Sequence, residues 1–297
     1  MSKVLLVGTI SNAEKKLEQD FYKVFKSLHF FDEIDVFLVE SDSSDSTIAV
    51  IEKIRNKNPN LNYVSLGNLK VALPNRIERI RKCRNFYVEY IRNNFDVKKW
   101  DYVVVADLDG MNSALKNNSI LKLFSSQESW DACFPNQKFG YYDLYALREP
   151  SWMPRDCFED LKFLKSKIPK REFKRFQFFD KLRNIIDHDR ARKIAIYSKM
   201  RILSKNSNWI RVDSAFGGLA IYRIGWFLDF DYSKSSESNI LVSEHVDFHL
   251  KCINMKARFY IVPKFINSNW NEYNLNRIFL LRQLRFIRYK YFKNSKN

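Results

Sequence analysis

Over its first 110 residues the chain alternates short apolar runs with amphipathic stretches, and this alternation constrains the fold more than any other feature. Val4 to Val7 form an unbroken apolar run between Lys3 and the Gly8-Thr9 turn, the pattern of a strand covered on both faces. Leu17, Phe21, Val24, Phe25 and Leu28 then recur at helical spacing within residues 12–28. Ile34 to Val39 gives a second strand, and a helix capped by Asp45 or Ser46 follows through Ile48, Ile51 and Ile54. Asn62 to Leu66 reads as a third strand, residues 75–94 as a long helix, and Asp101 to Ala106 as a fourth strand. Such alternation predicts an α/β protein with a mostly parallel central sheet and helices on both faces.

The rest of the chain reads as additions to that half. Residues 151–211 are a basic helical insertion, and residues 212–275 complete a single catalytic domain spanning 1–275. Within the second half, Phe216 to Arg223 turns into a strand, Glu244 to Met255 is a short helix, and Ala257 to Val262 is a strand. Residues 276–297 read as a basic amphipathic C-terminal helix. At 45% hydrophobic, with 7 Gly and 7 Pro, the chain can bury a large core, which excludes a disordered or fibrous protein. Its apolar runs are strand-length, far short of the ~18 residues a spanning helix needs. The N-terminal run is also too short for a signal-peptide core, so a cytoplasmic location is expected. Cys83, Cys133, Cys157 and Cys252 lack C-x-x-C spacing and are expected to be buried, reduced thiols.

The formal charge of +17 is concentrated in two places. Residues 151–211 hold 17 Lys/Arg against 7 Asp/Glu, residues 276–297 hold 7 Lys/Arg and no acid, and the remainder is neutral. Basic segments supply phosphate contacts in nucleic-acid-binding proteins, but here they flank a neutral body without a nucleic-acid motif, so that partner is not expected. The tail RIFLLRQLRFIRYKYF interleaves basic and bulky apolar residues, as helices lying on anionic membrane surfaces do.

Ligands of parallel sheets gather at the carboxyl ends of the strands. Asp107 and Asp109 stand there, directly after the fourth strand. Two carboxylates so placed can share Mg²⁺ or Mn²⁺, which keeps open positions for substrate phosphates. Glu40 and Asp42 follow the second strand, where carboxylates can read a ribose or base edge. On helix 75–94, Arg84 falls on the apolar stripe of Ile77 and Ile80, and a buried guanidinium demands an anionic partner. Arg76, at the start of that helix, can add to a phosphate site. The segment Ser243 to His249 gathers Glu244, His245 and Asp247 as general-base candidates. His245 and His249 share a helix face, but H-E-x-x-H is absent and a zinc protease is not indicated.

Four motifs in order, VESDSSDST at 39–47, VVVADLD at 103–109, FGGLAIYR at 216–223 and SEHVDFH at 243–249, resemble those of GT-A-type glycosyltransferases. The likeness covers about residues 3–145 and 211–265, and Arg84-Asn85 looks like the subgroup that builds capsular and surface glycans. It implies a metal-dependent enzyme moving a sugar from a nucleoside-diphosphate sugar to a hydroxyl of a glycan or lipid-linked acceptor. By the same resemblance, Glu40 and Asp42 contact the nucleoside, Asp107 and Asp109 hold the metal and diphosphate, and Glu244, His245 or Asp247 is the base. The chain departs from the family where His245 replaces the usual aspartate and where Asn267 to Trp270 stand in place of a metal-binding histidine. His249 would then take the metal or the acceptor role. A nucleotidyltransferase making sugar nucleotides would share the sheet and metal, but it needs a glycine-rich loop after the first strand, where only Gly8 occurs.

Overall fold

The computed structural model describes residues 2–169, 178–234, 242–271 and 273–277. Eight strands, β1 (Lys3–Ile10), β2 (Glu33–Glu40), β3 (Leu61–Ser65), β4 (Tyr102–Ala106), β5 (Ala132–Gln137), β6 (Ile210–Val212), β7 (Leu219–Arg223) and β8 (Phe259–Ser268), form one sheet. Its order is β3-β2-β1-β4-β7-β5-β8-β6, and β7 and β6 run against the other six. This is the α/β arrangement with a mostly parallel central sheet that the sequence predicts.

Alternate residues of the central strands feed two apolar layers. Leu5, Val7, Val103 and Val105 face one; Val4, Leu6, Val104 and Ala106 face the other. Helices α1 (Leu17–Lys26) and α2 (Thr47–Arg55) cover the second layer through Leu17, Phe21, Val24, Ile51 and Ile54. On the first lie α3 (Arg76–Lys98), through Tyr87, Val88 and Ile91, and α8 (Glu244–Asn254), through Phe248 and Cys252. The Asn75 side chain starts α3 by accepting from the Ile77 N–H at 2.9 Å. Lys99, in the left-handed region at φ 52°, ends it, one turn beyond the expected stop at residue 94.

From β1 the chain moves outward through β2 to β3, then crosses back to β4 on the other side of β1. The carboxyl ends of β1 and β4 flank this reversal, the place where an open sheet leaves a crevice. The two strands lie so close that a Cβ on Gly8 would sit 2.7 Å from the Ala106 carbonyl oxygen.

Strand β5 was not legible in the sequence, because Pro135 and the polar pair Asn136-Gln137 argue against a central strand. It forms because β7 pairs only with Ala132 and Cys133, leaving Pro135 beyond the ladder on that side. The edge strand β6 and the short helices α4 (Leu121–Phe124) and α7 (Gly225–Asp229) were likewise unforeseen. Within the expected insertion, α5 (Cys157–Ser166) and α6 (Phe178–Ala195) pack through Leu161, Ala191 and Ala195. Residues 170–177 of it lie outside the described residues, as do 278–297 of the expected C-terminal helix, while Asn274–Arg277 forms a 3₁₀ turn. All four cysteines are buried and free. No helix among the described residues is long and apolar enough to cross a membrane.

Candidate active site

Strand β4 delivers Asp107 at its carboxyl end, and the loop that follows is held from beneath. Asp20, on the buried side of α1, accepts from the Gly110 and Asn112 backbone N–H groups at 3.0 Å each and from the Asn112 amide at 3.2 Å. Asn112 in turn donates to the Asp107 carbonyl at 2.7 Å and accepts from Asn267 at 3.0 Å. Asn267 also donates to the Gly217 carbonyl at 2.9 Å and accepts from Gln137 at 3.2 Å, while the Asp107 N–H reaches the Gly218 carbonyl at 2.9 Å. Buried amides partnered in this way rigidify the loop they support. Burial pushes the Asp20 carboxyl up to about 6; the Gly110 and Asn112 donors work against that rise and the nearby Asp109 charge adds to it.

Above the loop opens a cavity of about 940 Å³ whose lining includes Asp42, Arg84, Asp107, Asp109, Glu244 and His245. Arg84 is 3% exposed and bridges its opposite walls. Its Nε donates to Glu244 at 2.9 Å, one terminal nitrogen lies 3.6 Å from Asp107, and the other donates to the Tyr87 hydroxyl at 3.3 Å. The expectation that this guanidinium needs an anionic partner is thus met twice. The Asp107 carboxyl is pushed up to about 7, chiefly by burial, with Arg84 opposing and Asp109, Glu244 and Asp143 adding repulsion. His245 stacks on Phe216 with centroids 3.9 Å apart, and neither buried ring nitrogen has a hydrogen-bond partner. Burial, and after it the Arg84 charge, holds this imidazole well below its ordinary value, so it is neutral.

Beyond the end of β2, Asp42 adopts φ 59° and accepts from the Leu69 and Lys70 N–H groups at 2.8 and 3.0 Å. Its carboxylate also pairs with Arg79 at 3.2 Å. Arg76 lines the same cavity from the start of α3.

Three expected site residues do not line this cavity. Glu40 turns its carboxylate into its own loop, accepting from the Ser43 N–H at 3.0 Å and from the Ser65 hydroxyl. Asp247 pairs with Arg81 at 2.8 Å, both buried. His249 lies in the core with both ring nitrogens occupied, by the Ser214 hydroxyl at 2.8 Å and the Tyr222 hydroxyl at 2.9 Å, and burial lowers its basicity to about 3.

Sequence reading missed Asp143, Arg79 and Asp20. Asp143 accepts from the Gly217 N–H at 2.9 Å and lines the cavity, and burial raises its carboxyl above the usual range. A lone acid in the aromatic stretch Phe139 to Tyr145 is the one signal that could have found it. Among the described residues, no three His, Cys, Asp or Glu side chains are grouped so as to hold a metal ion by themselves.

Fold and site together define an α/β protein whose acidic cavity, bridged by a buried arginine, opens at the carboxyl ends of its parallel strands. No protein-family model and no curated protein sequence matches the chain. Among solved structures it is similar to S. aureus TarS 1–349, at 18% identity and TM-score 0.45 over 91% of this chain and 60% of that one. The same protein in complex with UDP-GlcNAc matches at 16% identity and TM-score 0.45, over 92% and 59%. The mannosyltransferase PcManGT from Pyrobaculum calidifontis, in complex with GDP-Man and Mn²⁺, matches at 13% identity and TM-score 0.44, over 96% and 64%. The chain spans less than two thirds of each of these structures.

Proposed function

We propose that the chain is a metal-dependent glycosyltransferase that moves a sugar from a nucleoside-diphosphate sugar to a hydroxyl of a glycan or lipid-linked acceptor. One observation carries this reading: the Asp107-Asp109 pair at the end of β4 faces Glu244 across a single cavity, with Arg84 between them.

Five carboxylates, Asp42, Asp107, Asp109, Asp143 and Glu244, line that cavity, and Asp109, Glu244 and Asp143 push the proton affinity of Asp107 upward. A hard divalent cation, Mn²⁺ or Mg²⁺, suits such an oxygen donor set. Asp107 and Asp109 are the residues that would hold it, and when bound it would offset charge on the departing diphosphate. Arg84 adds a fixed positive charge on the same side, pre-organised by Glu244 and Tyr87. Asp42 and Arg76 serve the nucleoside and phosphate end.

Among the base candidates, Glu244 and His245 line the cavity and Asp247 does not. We assign Glu244 as the acceptor of the hydroxyl proton, since burial and the Arg84 charge hold the His245 imidazole beside it well below its ordinary value. His245 supplies a hydrogen-bonding edge to the sugar or acceptor.

A panel of nucleotide sugars incubated with Mn²⁺ tests the reading, sugar release or transfer being the readout. Asp109→Ala should abolish metal-dependent turnover while the chain stays folded, and unchanged turnover would end the metal assignment. Glu244→Gln should slow transfer by about 10²–10⁴-fold, the usual worth of a general base. If His245→Ala alone removes the acidic limb of the pH–rate profile, the base is the histidine.

The basic tail 276–297, placed next to an anionic leaflet, would hold the enzyme at a membrane displaying its acceptor, each Lys or Arg adding ~1 kcal/mol. Co-sedimentation with phosphatidylserine vesicles should be lost when the chain is truncated after residue 275, and undiminished binding would refute the anchor.

A further inference from the structure

A second cavity, of about 380 Å³, adjoins the first and has a different character. Phe139, Tyr197, Ile202 and Trp270 line it together with Lys193, Ser198 and Asn274, and among the described residues no carboxylate contributes. Its volume falls in the ~300–1,000 Å³ range of small-ligand sites. Tyr197 lines both cavities, so the two adjoin at that residue.

Trp270 is 49% exposed, a large apolar surface for the fold to leave in water. It is also held in one orientation. One face stacks on Phe139 with centroids 4.1 Å apart and planes inclined by 11°, and Lys138 lies 5.0 Å from the Phe139 ring. The chain around it is a fastened turn, in which Asn274 accepts from the Asn271 N–H at 3.0 Å and donates to the Asn269 carbonyl at 2.9 Å. The same turn presents Tyr273, stacked on Tyr142 at 5.0 Å and 12°, into the first cavity. Two stacked aromatic pairs, Trp270 on Phe139 and Tyr273 on Tyr142, thus draw on the same turn, one at each cavity.

We propose that this second cavity is a saccharide-binding subsite, which holds a sugar ring of the acceptor at a distance from the reacting hydroxyl. The inference rests on the glycosyltransferase reading for the ligand's role as acceptor, but not for its being a saccharide. A pyranose carries an apolar face of C–H groups that fits a flat aromatic surface, and its hydroxyls project at the ring's edge. Trp270 supplies the flat surface, and Lys193 and Ser198 line the same cavity as polar partners for hydroxyls. The fixed stack means that little side-chain freedom is lost on binding. A nucleotide donor is less suited to this cavity, whose described lining residues offer no carboxylate to share a phosphate-bridging metal. An acceptor of two or more sugars would span both cavities, its terminal hydroxyl near Glu244 and an inner ring on Trp270.

The test uses the full chain and four commercial tetrasaccharides, chitotetraose, cellotetraose, maltotetraose and mannotetraose, titrated without donor by calorimetry. At least one should bind. Trp270→Ala should weaken it at least tenfold, Trp270→Phe should keep most of the affinity, and Lys193→Ala should cost about threefold. The phenylalanine variant separates loss of the platform from loss of the fold. Equal affinity in wild type and Trp270→Ala, or binding of none of the four, overturns the subsite. Wild-type protein that binds a tetrasaccharide but turns over no nucleotide sugar leaves the subsite standing and removes the glycosyltransferase reading instead.

Discussion

Replacing Asp20 by asparagine tests how the aspartate loop is supported, because Asp20 lies beneath that loop with its carboxyl 2% exposed. Its folded-state value of about 6 stands above the ordinary 3.8, and burial is the chief cause. The sign follows from proton binding: between those values the folded chain holds a proton that the unfolded chain releases, so stability is greatest below 3.8 and falls as pH rises through 6. The full swing is the 2.2-unit difference at 1.36 kcal/mol per unit, about 3 kcal/mol, of which roughly 2 kcal/mol falls between pH 4.5 and 7.5. The assay is urea unfolding of both proteins in EDTA across that range. The wild type should lose about 2 kcal/mol relative to Asp20→Asn, since every other titrating group is common to both. Adding Mn²⁺ should flatten the wild-type slope, because a cation on Asp109 offsets one of the charges that raise the Asp20 carboxyl. Parallel curves for the two proteins would show that Asp20 is not the buried carboxylate that tensions this loop.

Two further perturbations probe the frame around it. Arg84→Met leaves Glu244 and Asp107 facing each other without their bridge. Breaking a buried pair from one side costs ~3–5 kcal/mol, and the partly exposed Asp107 places the loss near the lower figure, about 3 kcal/mol by chemical denaturation at pH 7.5. A loss below about 1 kcal/mol would mean that the bridge is replaceable by water. Gly8→Ala would set a Cβ 2.7 Å from the Ala106 carbonyl oxygen, a backbone atom that cannot swing aside. Overpacking of this kind should cost roughly 1–3 kcal/mol and weaken Mn²⁺ binding by shifting the end of β4, and a variant with wild-type metal affinity would uncouple the strand contact from the loop.

How much of this was legible in the sequence depends on where each residue's reason for being there lies. The four strands of the first half could be read because a parallel strand covered on both faces carries its apolar run on its own residues. The DLD motif was readable for the same reason, since the end of such a run fixes where Asp107 and Asp109 emerge. Strand β5 was not, because Asn136 and Gln137 are tolerable in a buried strand only with partners far along the chain, such as the Asn267 side chain and the Pro263 carbonyl. Asp20 was hidden in the same way. On its helix it occupies an ordinary polar position, and only the tertiary fold brings the Gly110 and Asn112 N–H groups to it.

Helix α8 shows a subtler limit. Periodicity divides a helix into faces, but all six residues from Glu244 to His249 are buried, so no solvent face exists to orient them. The sharing of a face by His245 and His249 is correct, and their rings lie 5.5 Å apart, yet one lines the cavity and the other is bound into the core beneath Tyr222. Depth along the helix, not the face, separates them. The same axis orders the charges: Arg84 pairs with Glu244 and Arg81 with Asp247, two rungs of one ladder between antiparallel stretches of α3 and α8. The rung at the cavity also reaches Asp107, whereas Arg81 donates instead to the Tyr232 carbonyl. The inner rung therefore fixes the spacing of the two helices, and that spacing holds the Glu244 carboxylate across from the aspartate pair.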